Sequence, residues 1–216
     1  MNKKAIIFDM DGVIFDTERV YMNIWIEVYS KYGYTMNREI YTKLIGRDRN
    51  SITKILYNLY GEDFPVTNIF KECDKLLKEA IDRGEVPIKE GVLEIFEFLK
   101  LKKYKMALAT SSSKNKLNMQ LKIHNLEKVF DCIVCADDVK VSKPNPEIFL
   151  CAARKLNVNP EECIVIEDSP AGIEAAFNAN MFPIHVEDLV KANKDIKKYS
   201  KKLFKNLIEV RSYLLK

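Results

Sequence analysis

The sequence predicts an α/β protein, a doubly wound parallel sheet interrupted after its first strand by a helical subdomain. Three observations predict it. Short, continuous apolar runs recur at residues 5–8, 105–109, 132–135, 163–166 and, more weakly, 182–186. Unbroken rather than alternating apolarity is what a strand covered on both faces requires. Helical patterns separate the later runs, which is the alternation of a doubly wound sheet. Residues 17–86, by contrast, hold helical stripes with no strand-like run between them.

The elements follow in order. After the first run, Val20, Ile24, Val28 and Tyr32 step by four, with Tyr21, Trp25 and Tyr29 beside them. Ile52, Ile55, Leu56 and Leu59 form a second stripe. Val66, Ile69, Phe70, Cys73, Leu76, Leu77, Ala80 and Ile81 form a third. Such spacing marks one apolar helix face. The two crossings fall near Phe15-Asp16 and Gly84-Glu85-Val86-Pro87, which divides the chain into 1–16 with 87–216 and an inserted 17–86. Beyond the insertion, helices are expected over 91–102, 114–124, 146–156 and 170–179, two of them with proline at the start. A closing helix is expected over 207–214, and the lysine-rich 191–205 stretch reads as a solvated helix face or loop.

Composition bounds the function. The chain has 216 residues, 47% hydrophobic and 31% charged, enough apolar content for a sizeable core. A net charge of +4 favours neither a strong polyanion binder nor an acid-rich chain. No apolar run is long enough to span a bilayer, and the apolar stretch after Lys3-Lys4 is too short for a signal peptide. A soluble, cytoplasmic monomer with no membrane or nucleic-acid partner is the expectation. The five cysteines suggest reduced thiols rather than a disulfide framework, and Cys132-x-x-Cys135 lies in an apolar run with no second pair to complete a zinc site.

The polar residues that end the strands carry the chemistry. The first run ends in Asp9-Met10-Asp11-Gly12, the second in Thr110-Ser111-Ser112-Ser113, the fourth in Glu167-Asp168-Ser169-Pro170. The third is followed by Asp137-Asp138 and then Lys143-Pro144-Asn145-Pro146. Ligands of open α/β sheets bind outside the carboxyl ends of the strands. Taken singly, these residues make turns and helix caps. Together they put carboxylates, hydroxyls and a lysine on one edge. Asp9 and Asp168 suit Mg²⁺, which prefers hard oxygen ligands and shares its shell with phosphate. An aspartate there can attack phosphorus, and a second carboxyl two residues on can transfer the proton. Thr110 and Lys143 can hold the phosphoryl oxygens.

These four motifs resemble those of the haloacid dehalogenase-like superfamily of phosphohydrolases. Phe8-Asp9-Met10-Asp11-Gly12-Val13-Ile14-Phe15-Asp16-Thr17-Glu18 resembles the first motif and Ala109-Thr110-Ser111-Ser112 the second. Ser142-Lys143-Pro144-Asn145-Pro146 resembles the third, and the run from Val165 to Ala176 the fourth. The resemblance implies a Rossmann-like core with a helical cap. It implies Asp9 as nucleophile and metal ligand, and Asp11 as general acid/base whose carbonyl also meets the metal. Thr110, Ser111 and Lys143 would bind phosphate, and Asp168 with Glu167 would complete a Mg²⁺ site. An aspartate at position 11 favours phosphate transfer over dehalogenation.

Within that superfamily the chain is similar to the β-phosphoglucomutase and sugar-phosphate phosphatase subgroup. The resemblance implies that Arg47 or Arg49, in Gly46-Arg47-Asp48-Arg49, engages substrate from the cap. Tyr21 stands where the mutases carry a histidine, which favours a phosphatase acting on a small phosphorylated metabolite. A sugar-phosphate mutase, a non-catalytic phosphate- or metal-binding module and a nucleic-acid partner for the lysine-rich tail stay open as alternatives.

Overall fold

The computed structural model describes residues 3–45, 49–189 and 191–215. The backbone packs as two units, residues 1–16 with 87–216 and residues 17–86. Strand β1 (Ala5–Phe8) is wholly buried. The chain leaves the larger unit after Asp16 and returns at Pro87, where the Asp16 amide donates to the Pro87 carbonyl at 2.9 Å. Phe15 and Ile88 form an antiparallel bridge at the same place.

The smaller unit is helical: α1 (Thr17–Lys31), α2 (Arg38–Thr42), α3 (Arg49–Tyr60) and α4 (Val66–Asp82). Helices α1 and α4 pack on each other. Trp25 of α1 meets Phe70 of α4 at 5.7 Å, within an aromatic cluster that runs through the unit. Trp25 stacks on Tyr29 at 5.6 Å and meets Tyr21 and Tyr41 edge-on, while Phe64 closes on Tyr29, Tyr34 and Tyr60. Along α4 the expected stripe is buried at Val66, Ile69, Cys73, Ala80 and Ile81. The α3 stripe differs from expectation: only Leu56 is buried, and Leu59 is 50% exposed. Periodicity fixes a face but not how much of it a neighbour covers. Helix α2 was too short to leave a periodic signal; Asn37 caps it by accepting from the Ile40 amide.

In the larger unit β1 is followed by α5 (Val92–Leu101), β2 (Lys105–Ala109), α6 (Lys114–Ile123), β3 (Cys132–Val134), α7 (Glu147–Leu156), β4 (Cys163–Glu167), α8 (Pro170–Asn178), β5 (Phe182–Val186), α9 (Lys194–Tyr199), β6 (Lys202–Phe204) and α10 (Leu207–Leu214). The sheet order is β3-β2-β1-β4-β5-β6, every neighbouring pair parallel. This is the doubly wound order, with its switch point between β1 and β4. Alternate residues of β1 serve opposite layers. Ala5 and Ile7 join a core with Phe149 and Ala152 of α7 and Ala175 of α8, while Phe8 meets Phe96 of α5 edge-on at 5.3 Å.

In the 191–205 stretch α9 carries the expected solvated lysines, while the edge strand β6 corrects the expectation of a helix face or loop. Lysines flanking two apolar residues mask a strand in sequence, yet charge on an edge is how sheets avoid further pairing. The five cysteines are free, and burial pushes the Cys132 and Cys163 thiols up to about 11. Among the described residues no helix is long and apolar enough to cross a membrane.

Candidate active site

The switch point gathers the strand-end residues. Phe8 pairs with Ile166, so Asp9 emerges beside Glu167, and the Asp9 amide is tied to the Ile166 carbonyl at 2.9 Å. Carboxylate oxygens of Asp9, Glu167 and Asp168 lie within 4.8 Å of one another. Lys143 reaches in from the loop before α7. Its ammonium donates to Asp9 Oδ1 in a short bond and to Glu167 Oε1 at 2.8 Å. The side chains of Lys143, Asp9 and Glu167 are all less than a tenth exposed. The buried carboxylates of Asp9 and Glu167 share the Lys143 ammonium, and the half-buried Asp168 carboxylate lies beside them. The donor set is hard oxygen only, so it fits a divalent cation such as Mg²⁺.

The electrostatics agree. Burial pushes Asp9 up to about 7, with Glu167 and Asp11 adding to the rise and Lys143 opposing it. Burial also disfavours the Lys143 ammonium, but Asp9 and Glu167 outweigh that and hold it protonated well above the ordinary lysine value. Asp9 rises although an ammonium touches it, because burial outweighs that attraction and Glu167 adds to the rise.

Two glycines give the cluster room. Gly12 takes φ +80°, and a Cβ there would lie 2.3 Å from Asp168 Oδ2. At Gly172 in α8 a Cβ would lie 1.8 Å from Glu167 Oε1. Glu167 cannot simply swing aside, because Lys143 holds one oxygen and the Ser169 amide donates to the other at 2.5 Å. Gly172→Ala is therefore expected to destabilise by about 1–3 kcal/mol, outweighing the helix preference for alanine. It should also weaken divalent-ion binding. Thermal melts with and without Mg²⁺ measure both, and a variant as stable and as metal-responsive as wild type would contradict the packing argument.

Asp11 faces a different set. Ser112 Oγ donates to Asp11 Oδ2 at 2.7 Å and Lys116 Nζ to Oδ1 at 2.9 Å. Thr110 is buried, and its hydroxyl oxygen accepts from the Ser112 amide at 3.0 Å. Ser111 and Lys143 line a cavity of about 200 Å³ with Lys140 and Ser142. Behind the cluster, buried His185 on β5 donates from Nε2 to the Asp168 carbonyl at 3.1 Å.

Burial lowers the His185 pKa below its ordinary 6.5. Below about 6.5 the unfolded chain takes up a proton that the folded chain refuses, so stability should fall as pH drops toward the folded value. Urea midpoints between pH 7.5 and 5 are expected to fall less steeply for His185→Gln than for wild type. Equal slopes would assign the acid sensitivity to other groups.

In the helical unit, Arg49 and Tyr21 come together on a residue that sequence reading missed. Arg49 Nη2 meets Asp74 Oδ1 and Oδ2 at 2.6 and 2.8 Å, and Tyr21 donates to the same carboxylate in a short bond. Arg49 also lies over the Phe70 ring at 4.3 Å. Beside them is a cavity of about 200 Å³ lined by Glu18, Tyr21, Trp25, Tyr41 and Arg49. Arg47 lies outside the described residues.

Sequence reading therefore brought Asp9, Lys143, Glu167 and Asp168 to one edge, and the structure joins them. It missed Lys116, the Ser112 hydroxyl, Asp74 and His185. None of the four carries a signal in the sequence, where Lys116 reads as an ordinary helix lysine. Cys132 and Cys135 form no metal cluster among the described residues, where the one acidic group of that kind is Asp9, Glu167 and Asp168.

Comparison with known proteins fits this arrangement. The profile described as haloacid dehalogenase-like hydrolase matches residues 6–186. The chain is 36% identical over 184 residues, 84% of each chain, to a phosphorylated carbohydrates phosphatase of Thermotoga maritima. It is 30% identical over 182 residues to the fructose-1-phosphate phosphatase YqaB of Escherichia coli, covering 84% of this chain and 95% of that one. The crystal structure of a β-phosphoglucomutase from Clostridium difficile is 30% identical, with a TM-score of 0.69 over 99% of this chain and 100% of the other. With the profile spanning most of its length and its six parallel strands in the doubly wound order, the chain belongs to the haloacid dehalogenase-like hydrolase family.

Proposed function

We propose that this phosphohydrolase is a Mg²⁺-dependent phosphatase that hydrolyses a small phosphorylated metabolite, a sugar phosphate, through an aspartyl-phosphate intermediate. The observation that carries the reading is the cluster of Asp9, Glu167 and Asp168, with Lys143 held by the buried Asp9 and Glu167. Asp9, Asp168, Glu167 and the Asp11 carbonyl would hold the metal. When bound, it supplies positive charge that neutralises phosphoryl oxygens and keeps Asp9 ionised. Asp9 attacks phosphorus, the bond to the leaving oxygen breaks, and Asp11 gives that oxygen its proton. Asp11 then takes a proton from water as the water's oxygen attacks phosphorus and frees Asp9. Thr110, Ser111 and Lys143 bind the phosphoryl oxygens through both steps.

We assign residues 17–86 the role of a cap that sets substrate choice. The aromatic cavity beside Tyr21 and Arg49 supports this, since rings and a few polar groups suit a sugar face. The five free thiols are consistent with a reducing, cytoplasmic setting.

The test is phosphate release from a panel of hexose, pentose and triose phosphates, with Mg²⁺ and with a chelator. Metal-dependent release from a sugar phosphate is the expected result. No release from any member would overturn the reading. Mutase activity is a second reading, favoured by the likeness to a β-phosphoglucomutase. Against it, Tyr21 replaces the imidazole, and burial and the hydrogen bond to Asp74 raise its phenol above the ordinary value, which leaves it a poor proton carrier. A coupled assay from β-glucose 1-phosphate to glucose 6-phosphate separates the two.

A further inference from the structure

Lys116 sits where a lysine is electrostatically disfavoured. It occupies the first turn of α6, whose backbone dipole already presents positive charge, and no acidic residue stands in that turn. Its side chain is nevertheless three-quarters buried, and its ammonium is 2.9 Å from Asp11 Oδ1. Asp11 is equally buried, and its other oxygen accepts from Ser112. The clamp spans 105 residues of sequence and joins the loop after β1 to the helix after β2.

We propose that Lys116 is a positioning residue for the proton-transfer step, acting through Asp11. This rests on the reading of Asp11 as the general acid. Lys116 occupies Oδ1, so Oδ2 is the oxygen that exchanges the proton, with the Ser112 hydroxyl as its resting partner. In the first half-reaction the bond from Asp9 to phosphorus forms and the bond from phosphorus to the leaving oxygen breaks. The proton on Asp11 Oδ2 moves to that oxygen. Without Lys116 the carboxyl loses its anchor and rotates away from the line of transfer. Lys116 touches neither Asp9 nor Lys143 in the structure, so its effect falls on the leaving group and not on the phosphoryl group.

A leaving-group comparison tests this. A hexose phosphate leaves as an alkoxide that needs a proton, whereas p-nitrophenolate leaves without one. The quantity to compare is kcat/KM, which ends at departure of the leaving group and excludes the later attack of water. Lys116→Met should lower kcat/KM for the hexose phosphate by about 10- to 100-fold, mostly in kcat. For p-nitrophenyl phosphate the fall should stay within about threefold. Lys116→Arg should restore most of the hexose phosphate activity.

Asp11→Asn is measured on the same pair. If it spares p-nitrophenyl phosphate while Lys116→Met lowers both substrates equally, the role of Lys116 is overturned and that of Asp11 stands. If Asp11→Asn also lowers both equally, the general-acid reading itself fails. Lys116→Gln, with melting temperatures, supplies a second variant should the methionine variant fold poorly; equal loss on both substrates in a folded Gln variant likewise overturns the proposal.

Discussion

Replacing Asp9 with asparagine is expected to reduce phosphate release at least about a thousandfold and to leave the protein as stable as wild type or more so. The two halves of this expectation have separate causes. Asparagine keeps the volume and an oxygen that can accept from Lys143, but an amide does not form an acyl phosphate. Stability follows from the charge balance. Burial raises the Asp9 carboxyl from 3.8 to about 7, so across that window the folded chain holds a proton that the unfolded chain releases. Stability conferred by that protonation is therefore present at low pH and lost as pH rises through the folded value. A neutral side chain at position 9 removes that loss. Melting with a chelator at pH 8 should show a midpoint equal to or a few degrees above wild type. Full turnover in the asparagine variant would exclude Asp9 as nucleophile. A midpoint well below wild type would contradict the charge argument.

The second large effect concerns Lys143. Lys143→Met removes the ammonium that Asp9 and Glu167 share and leaves three carboxylates packed within 4.8 Å. Breaking a buried ion pair from one side costs about 3–5 kcal/mol, because the surviving charges stay buried without compensation. Methionine roughly keeps the aliphatic part of the side chain but loses the ammonium that lies 5.0 Å from the Phe149 ring centre. Without metal the variant should therefore melt far below wild type. Adding Mg²⁺ should recover more stability in the variant than in wild type, since a cation restores part of the missing charge. Turnover should still fall about 100-fold or more, through the lost donor to the phosphoryl oxygens. A metal-free variant melting within about 2 °C of wild type would show that the lysine is not the counter-charge of this cluster.

The sheet was legible because buried parallel strands write themselves as unbroken apolar runs, and each of the main runs stops at a polar residue. That made Asp9, Thr110 and Glu167-Asp168 visible as strand ends. Lys143 was visible as the lysine that follows the third run, although a loop lysine carries no periodic signal. Contacts made by topology were not legible. Lys116 and Asp11 meet because β1 and β2 are neighbours, yet in sequence Lys116 looks like an ordinary exposed helix lysine. Asp74 was hidden beside the apolar stripe of α4, where a charged residue reads as the solvated back of the helix. The Lys89–Asp188 pair was equally invisible, its partners 99 positions apart in the chain. Short elements such as α2 and β6 failed for a different reason, since five or three residues do not complete a pattern.

The hydrogen bond from Asp16 to Pro87, with the Phe15–Ile88 bridge beside it, makes the intervening segment a closed loop as far as the sheet is concerned. The entropy of closing a loop grows only with the logarithm of its length, about 0.6 kcal/mol for each doubling. What lies between those two residues can therefore be lengthened, shortened or exchanged with little penalty to the strands that carry Asp9 and Asp168. Evolution can treat the insert as interchangeable cargo on a fixed chassis, so that one interval of the gene can be rewritten while the sheet is inherited unchanged.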